Sequence, residues 1–195
     1  MSDNLPLQTL VQMHRSQNII EWGNLQTSVF PPEPFIADTG LPQFIRDRES
    51  LNPYEAFNLL ITDDILNHML FQTNLYAEQQ YQVSAKPYKK AEMDEIKTFL
   101  GINILMGQKK YPSYRDHWST SPDLHDPYIS QVMTLHRFGW FLTNFHLNDN
   151  SVIPERSSIN YDKLYKLRPF LDSLKNNFQL CLQPHENIAV DESMI

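Results

Sequence analysis

The sequence predicts a mainly α-helical fold, on three observations. Glycine is scarce and proline is not, five against thirteen in 195 residues, and aromatics are plentiful with eleven Phe, nine Tyr and three Trp. That mixture suits packed helices joined by Pro-punctuated connections better than a β-barrel turned by glycines. Apolar residues also recur at helical spacing, in Ile65, Leu66, Met69, Leu70 and Thr73 and again in Met93, Ile96, Phe99, Leu100 and Ile104. Finally, capping residues and acids stand where such helices would begin: Thr62 before Asp63 and Asp64, and Glu92 with Asp94 and Glu95. Side-chain oxygens there accept from unpaired backbone N–H groups, and carboxylates suit the positive end of the helix dipole.

Taken in order, residues 1–50 read as an irregular N-terminal arm. Leu10, Val11, Met13, Ile19, Ile20 and Trp22 suit a short helix or a docking tail. Pro31-Pro32-Glu33-Pro34 then forces extended backbone and Gly40-Leu41-Pro42 adds a turn. The arm is expected to pack through Phe30, Phe35 and Phe44. From residue 51 to 183 the chain reads as helical. Ser50 is a candidate cap for a short helix over Tyr54 to Leu60, and Thr62 opens the next. Gln79 to Lys90 reads as a linker, and Gly107 is placed to end the helix that Glu92 opens. Asp126-Pro127 starts a short helix with proline in its favoured first turn. Thr134 caps another, which carries the core stripe Phe138, Phe141, Leu142 and Phe145. A long helix is expected over Tyr161 to Leu180, kinked near Leu167 by Pro169. Residues 184–195 then supply a short strand, Ile188 to Asp191. There is no internal repeat and no low-complexity tract.

Length suits one domain, or one and a fragment, with roughly 70% of the extended surface buried on folding. A single cysteine, Cys181, cannot form an internal disulfide, which favours an intracellular, reducing compartment. No apolar run is long enough to span a membrane, and Met1 to Gln8 lacks the pattern of a signal peptide. Net charge is −7, unevenly spread. Residues 1–85 hold three Arg and ten acids, residues 86–175 hold thirteen Lys or Arg and ten acids, and the remainder holds three acids and no base. An acidic chain is a poor generic ligand for DNA. The middle section alone offers a basic face, and solvated helix surfaces give the same imbalance.

The chemistry-bearing candidates are few. The seven histidines lack the short spacing of metal ligands, and neither a Gly-rich phosphate loop nor a nucleophile elbow is present. Lys86-Pro87-Tyr88-Lys89-Lys90 and Lys109-Lys110 are small basic clusters. Lys163, Lys166 and Arg168, with Lys175 nearby, could share part of one helical face and form the best phosphate-facing set. At the end of the chain, Ile188-Ala189-Val190 delivers Asp191 and Glu192. A carboxylate at the tip of a core strand needs a partner, a proton or a metal ion. Strand alternation sends Asp191 and Glu192 to opposite faces, so a single acid points along any one face. A solvated strand end and a metal-binding carboxylate both stay open.

Several segments in order narrow the choice: Phe71-Gln72-Thr73-Asn74-Leu75-Tyr76-Ala77; Glu95 to Ile102 running into Leu105-Met106-Gly107; Tyr111-Pro112-Ser113-Tyr114-Arg115-Asp116-His117-Trp118-Ser119; Arg137-Phe138; Phe145-His146-Leu147-Asn148-Asp149-Asn150; Lys166-Leu167-Arg168-Pro169-Phe170-Leu171-Asp172; and Val190-Asp191-Glu192-Ser193-Met194-Ile195. Over roughly residues 22–195 this resembles the piggyBac transposase and piggyBac transposable element-derived family. The resemblance implies a helical dimerisation and DNA-binding region followed by an RNase H-like catalytic core, whose three Asp residues bind divalent metal, usually Mg²⁺. By motif Asp191 matches the first of these, on the first strand of the sheet. The expectation is therefore an incomplete RNase H-like domain, with two of three catalytic Asp missing and a truncated, catalytically incapable transposase fragment. It further implies duplex DNA at transposon ends as partner, a homodimer or a heterodimer with a full-length relative, and a nuclear location. The alternative is a non-catalytic helical module that binds or interferes with a full-length relative.

Overall fold

The α1 helix Gln43–Arg46 is short, and α2, Pro53–Leu60, follows it. The centre is built from α3, Asp63–Ser84, and α4, Met93–Gln108. A 3₁₀ turn, Tyr114–Trp118, leads to α5, Pro127–Val132, and α6, Leu135–Asn144. The last helix, α7, is Arg168–Cys181. This computed structural model describes residues 34–189, and the helices fall within the unit Asp38–Ile195. The fold is mainly α as expected; among the described residues the only β pairing is an isolated bridge between Gly40 and Gln183.

Three helices make the core. Ile65, Leu66 and Met69 of α3 meet Ile96, Phe99 and Ile102 of α4, and Phe138 and Phe141 of α6 close the third side with Ile129 and Met133. Phe99 is its hub, with ring centroids 5.2 Å from Phe138, 5.1 Å from Phe141 and 5.3 Å from Phe145. Trp118 packs on Phe138 and donates its indole N–H to the Met133 carbonyl at 2.8 Å, so the connector is tied to the core at both its apolar and polar ends. Burial of these side chains, about 1.5–3 kcal/mol each, is the main favourable contribution.

Several elements depart from the sequence reading. The cap of α2 is Asn52, not Ser50: its side chain accepts from Glu55 N–H at 2.9 Å and its own N–H donates to the Glu55 carboxylate at 3.0 Å, a reciprocal box. Thr62 stands at the N-cap of α3 but makes no side-chain cap bond. Half of the expected Gln79–Lys90 linker is helix, because α3 runs on to Ser84. Its polar last turns lack an apolar stripe but are held by side chains: Gln79 donates to Asp149 at 2.9 Å and Tyr88 donates to Glu78 at 2.7 Å. Ala85, at φ +52°, ends it. Gly107 lies inside α4, which continues to Gln108. On that helix Ile102 is buried while Ile104 is exposed, and on α6 Leu142 points outward. In the arm, Phe35 and Phe44 are exposed and Ile45 is the buried residue, while Phe30 lies outside the described residues.

The largest correction concerns Tyr161 to Leu180. Residues 161–167 form turns, and the helix starts only at Arg168. Pro169 therefore sits in the first turn, where its missing N–H would have had no partner anyway, and no kink is needed. Ile188 and Ala189 are not in a strand, and residues 190–195 lie outside the described ones. Gly40 and Gln183 exchange two backbone hydrogen bonds, at 2.8 and 2.9 Å, tying the approach to α1 to the exit of α7. Gly40 adopts φ +82°, a backbone conformation that a side chain would strain.

Candidate nucleic-acid interface

Two of the basic candidates from the sequence, Lys163 and Lys166, lie in the loop that precedes α7, and Arg168 begins the helix itself. The base of this loop is pinned on both sides. Asn148 Nδ2 donates to the Tyr165 carbonyl at 2.8 Å, and the Tyr165 hydroxyl donates to the Asp149 carbonyl at 3.1 Å. Asp149 also accepts from Gln79 of α3 and from Ser151 N–H, and these bonds lower its carboxyl pKa, Gln79 first. Between the pins the chain makes successive turns: Ser158 N–H to Glu155 carbonyl at 2.9 Å, Tyr161 N–H to Ser158 carbonyl at 3.0 Å, and Tyr165 N–H to Asp162 carbonyl at 3.1 Å. Serine, asparagine and aspartate favour such turns because their side chains bond nearby backbone, which explains why the helix expected from Tyr161 does not start there. Asp162 in particular accepts from Leu164 N–H at 2.8 Å.

The loop walls an open cleft of about 780 Å³, lined by the cations Arg156, Lys163 and Lys166 and by the carboxylates Glu155 and Asp162, the latter held by Arg168. Arg156, Lys163 and Lys166 are exposed, and among the described residues none makes an ion pair or a side-chain hydrogen bond. Arg168 is committed differently. Its guanidinium grips Asp162 with two bonds, 2.6 Å from Nε and 2.8 Å from Nη2, and this pairing pulls the Asp162 carboxyl down to about 2. Lys175 is exposed two helical turns further along α7, about 10 Å from Arg168 by helix rise, and does not line the cleft. The structure thus brings Lys163 and Lys166 together, neutralises Arg168 and leaves Lys175 apart. It adds Arg156, which sequence reading missed because a helical-face argument cannot see across a turn. Serines at 157 and 158 and Asn160 were the available signal that the chain doubles back there.

The other basic clusters are only partly committed: Lys89 and Lys109 hold carboxylates, while Lys86, Lys90 and Lys110 are exposed and make no ion pair among the described residues. Lys109 pairs with Asp126 at 2.9 Å; the Asp126 side chain is 4% exposed and also caps α5 through Tyr128 and Ile129 N–H. Lys89 sits between Glu92 and Glu95. Arg137 is the most engaged cation. It makes a bidentate pair with Glu95 at 3.0 and 2.7 Å, donates to the Lys89 and Lys90 carbonyls, and lies over the Trp140 ring at 4.2 Å. His68 Nε2 lies 2.8 Å from the Leu147 carbonyl, and His146 stacks on Tyr76, so both serve packing. Cys181 is half-buried, which pushes its thiol pKa up.

For a metal, the residue to consider is Asp191, which lies outside the described residues. Among the described residues no group of three His, Cys, Asp or Glu side chains is placed to hold an ion. They do not supply a divalent site, so further donors would have to come from outside residues 34–189, and no chemical step is derived through a metal. Among the described residues no helix is long and apolar enough to cross a membrane.

Comparison with known proteins fits this architecture. A family model described as Transposase IS4 matches residues 52–195. The chain is 32% identical to human PiggyBac transposable element-derived protein 5, over 84% of its own length and 30% of the relative's. It is 30% identical to human PiggyBac transposable element-derived protein 2, over 75% of its length and 23% of the relative's. A solved structure described as a cryo-EM structure of the piggyBac transposase synaptic complex with hairpin DNA has the same fold over 76% of the chain, with a TM-score of 0.61 at 21% identity, and the match covers 30% of that protein. The chain therefore spans less than a third of the length of these relatives. The chain belongs to the piggyBac transposase and transposable element-derived family.

Proposed function

We propose that this helical unit is the DNA-contacting part of a piggyBac-type, transposable element-derived protein, with residual affinity for duplex DNA. The observation that carries the reading is the trio Arg156, Lys163 and Lys166, three exposed cations without partners among the described residues, around one cleft of an otherwise acidic protein. Cations that already hold a carboxylate gain little from a phosphate, whereas unpaired ones release counterions from DNA on binding. Support comes from the fold's likeness to a transposase whose solved complex contains hairpin DNA. Lys175 would extend the contact along α7, and Arg168 would join it only where Asp162 no longer holds its guanidinium. In this reading residues 184–195 lead into an RNase H-like region, Asp191 is one carboxylate of a Mg²⁺ site completed by other donors, and the protein acts in the nucleus.

The test is fluorescence anisotropy of a labelled duplex against the 195-residue chain over a salt series. Binding that weakens with salt, and a slope that falls by about 0.9 for each of Lys163→Ala and Lys166→Ala, supports the reading. Absent or salt-independent binding sinks it.

A second reading is favoured by a different observation. Tyr54 and Phe57 of α2 and Leu100 and Ile104 of α4 line an open, mainly apolar groove of about 410 Å³. Such a surface suits an interaction module that pairs with a second copy or with a longer relative. Sedimentation of the chain alone and mixed with that relative separates the two readings: a monomer indifferent to the relative removes this one.

A further inference from the structure

The tip of the cleft loop carries a feature that phosphate binding does not need. Ile159 is 99% exposed, the most exposed of the large hydrophobic residues described. It stands at the first central position of the turn Ser158 to Tyr161, closed by the Tyr161 N–H to Ser158 carbonyl bond at 3.0 Å, with the Ser158 hydroxyl accepting from Asn160 N–H at 3.2 Å. Loop tips normally present small or polar residues. Here a β-branched aliphatic side chain, with few rotamers to lose on contact, projects from a turn fixed by the chain's own hydrogen bonds. Three residues before it is Arg156 and four after it is Lys163, both exposed. Val152 and Ile153, 66% and 42% exposed, add apolar surface at the start of the same loop.

We propose that Ile159 is a wedge that enters a base step of bound duplex DNA while Arg156 and Lys163 hold the flanking phosphates. The inference rests on the DNA-binding reading above. Apolar side chains of this size partly unstack base steps and kink the duplex, and the tip must then be rigid, exposed and flanked by cations. Ile159 is exposed, stands in a turn closed by local hydrogen bonds and has Arg156 and Lys163 on either side, with Glu155 as the one exposed carboxylate next to Arg156. An anionic membrane surface also attracts cations around an apolar tip. A single turn residue offers far less apolar area than the helix face such binding uses, so DNA is the better match.

The experiment uses the 195-residue chain and a duplex carrying 2-aminopurine at its pyrimidine–purine steps, the steps that open most easily. Binding of the unaltered chain is expected to raise 2-aminopurine fluorescence. Ile159→Ala is expected to abolish that rise and to weaken binding about tenfold while leaving the salt slope unchanged, and Ile159→Phe to restore the rise. If Ile159→Ala binds and unstacks as the unaltered chain does, the wedge is overturned and the DNA-binding reading stands. If the unaltered chain binds no duplex, both fall. If it ignores DNA but is retained on phosphatidylserine vesicles in an Ile159-dependent way, the tip is a membrane contact and the wedge is likewise overturned.

Discussion

Arg137 of α6 and the Arg156–Lys163–Lys166 trio of the loop before α7 are cations in opposite circumstances. Arg137 has its side chain 15% exposed, pairs bidentately with Glu95, bonds two backbone carbonyls and stacks on an indole. The trio is exposed and has no partner among the described residues. The contrast extends to their surroundings. The α3–α4–α6 core buries Ile96, Phe138 and Phe141 almost completely, whereas α7 has no buried residue and exposes Phe178 and Leu180. One region's charges are paired within the fold, and the other's are exposed without a partner among the described residues. A cation's role in this fold is therefore read from its partners and not from its place in the sequence.

The sharpest way to break the comparison is in the core. Phe141→Ala should cost about 3–5 kcal/mol in denaturant titrations, because its fully buried ring packs on Phe99 and Trp140 and its loss leaves a cavity among them. A loss below about 1 kcal/mol would show that the aromatic cluster is not the centre of stability.

Arg137→Ala should follow, at about 2 kcal/mol, since it removes a bidentate charged partner from part-buried Glu95 and the bonds to two carbonyls, while Lys89 stays 3.5 Å from Glu95. Arg137→Lys should recover only part of this, because an ammonium cannot span both carboxylate oxygens or stack on Trp140. A double-mutant cycle with Glu95→Gln checks it: additive losses would mean that the pair is not the source.

The trio should behave in the reverse way. Lys163→Glu with Lys166→Glu should leave the melting temperature essentially unchanged and strip most of the duplex affinity, reducing the salt slope by about two. A large drop in melting temperature would place these lysines with Arg137.

The smallest effect expected is at Arg168. Its bonds hold the Asp162 carboxyl at about 2 instead of the usual 3.8. A carboxyl lowered on folding contributes stability that is complete above pH 3.8 and is lost as pH falls towards about 2. Carboxyl NMR shifts titrated with acid should place this step below the ordinary aspartate range. Asp162→Asn removes the charge that Arg168 holds, so it should free Arg168 for phosphate and steepen the salt slope by about 0.9. An unchanged slope would show that Arg168 does not face the bound duplex.

Much of this was legible. Regular 3.6-residue spacing located α3, α4 and α6, and Asp126-Pro127 and Thr134 fixed the starts of α5 and α6 through side chains that do accept the expected N–H bonds. Polar stretches were less legible. The last turns of α3 carry no stripe and are helical because Gln79 and Tyr88 find partners, one of them 70 residues away. The stretch 161–167 looked continuous with α7 because lysine, leucine and tyrosine all tolerate helix, yet Asp162 bonds its own backbone and Tyr165 is pinned to Asn148 and Asp149.

By itself the sequence determined the helical class, the core stripes, the family and the basic character of residues 86–175, because periodicity and charge are local properties written residue by residue. Only the tertiary structure decided which cations are free. That choice depends on whether a carboxylate or carbonyl far along the chain comes within hydrogen-bond reach. Glu95 reaches Arg137 across 42 residues. Among the described residues nothing reaches Lys163, and no pattern in the sequence distinguishes the two.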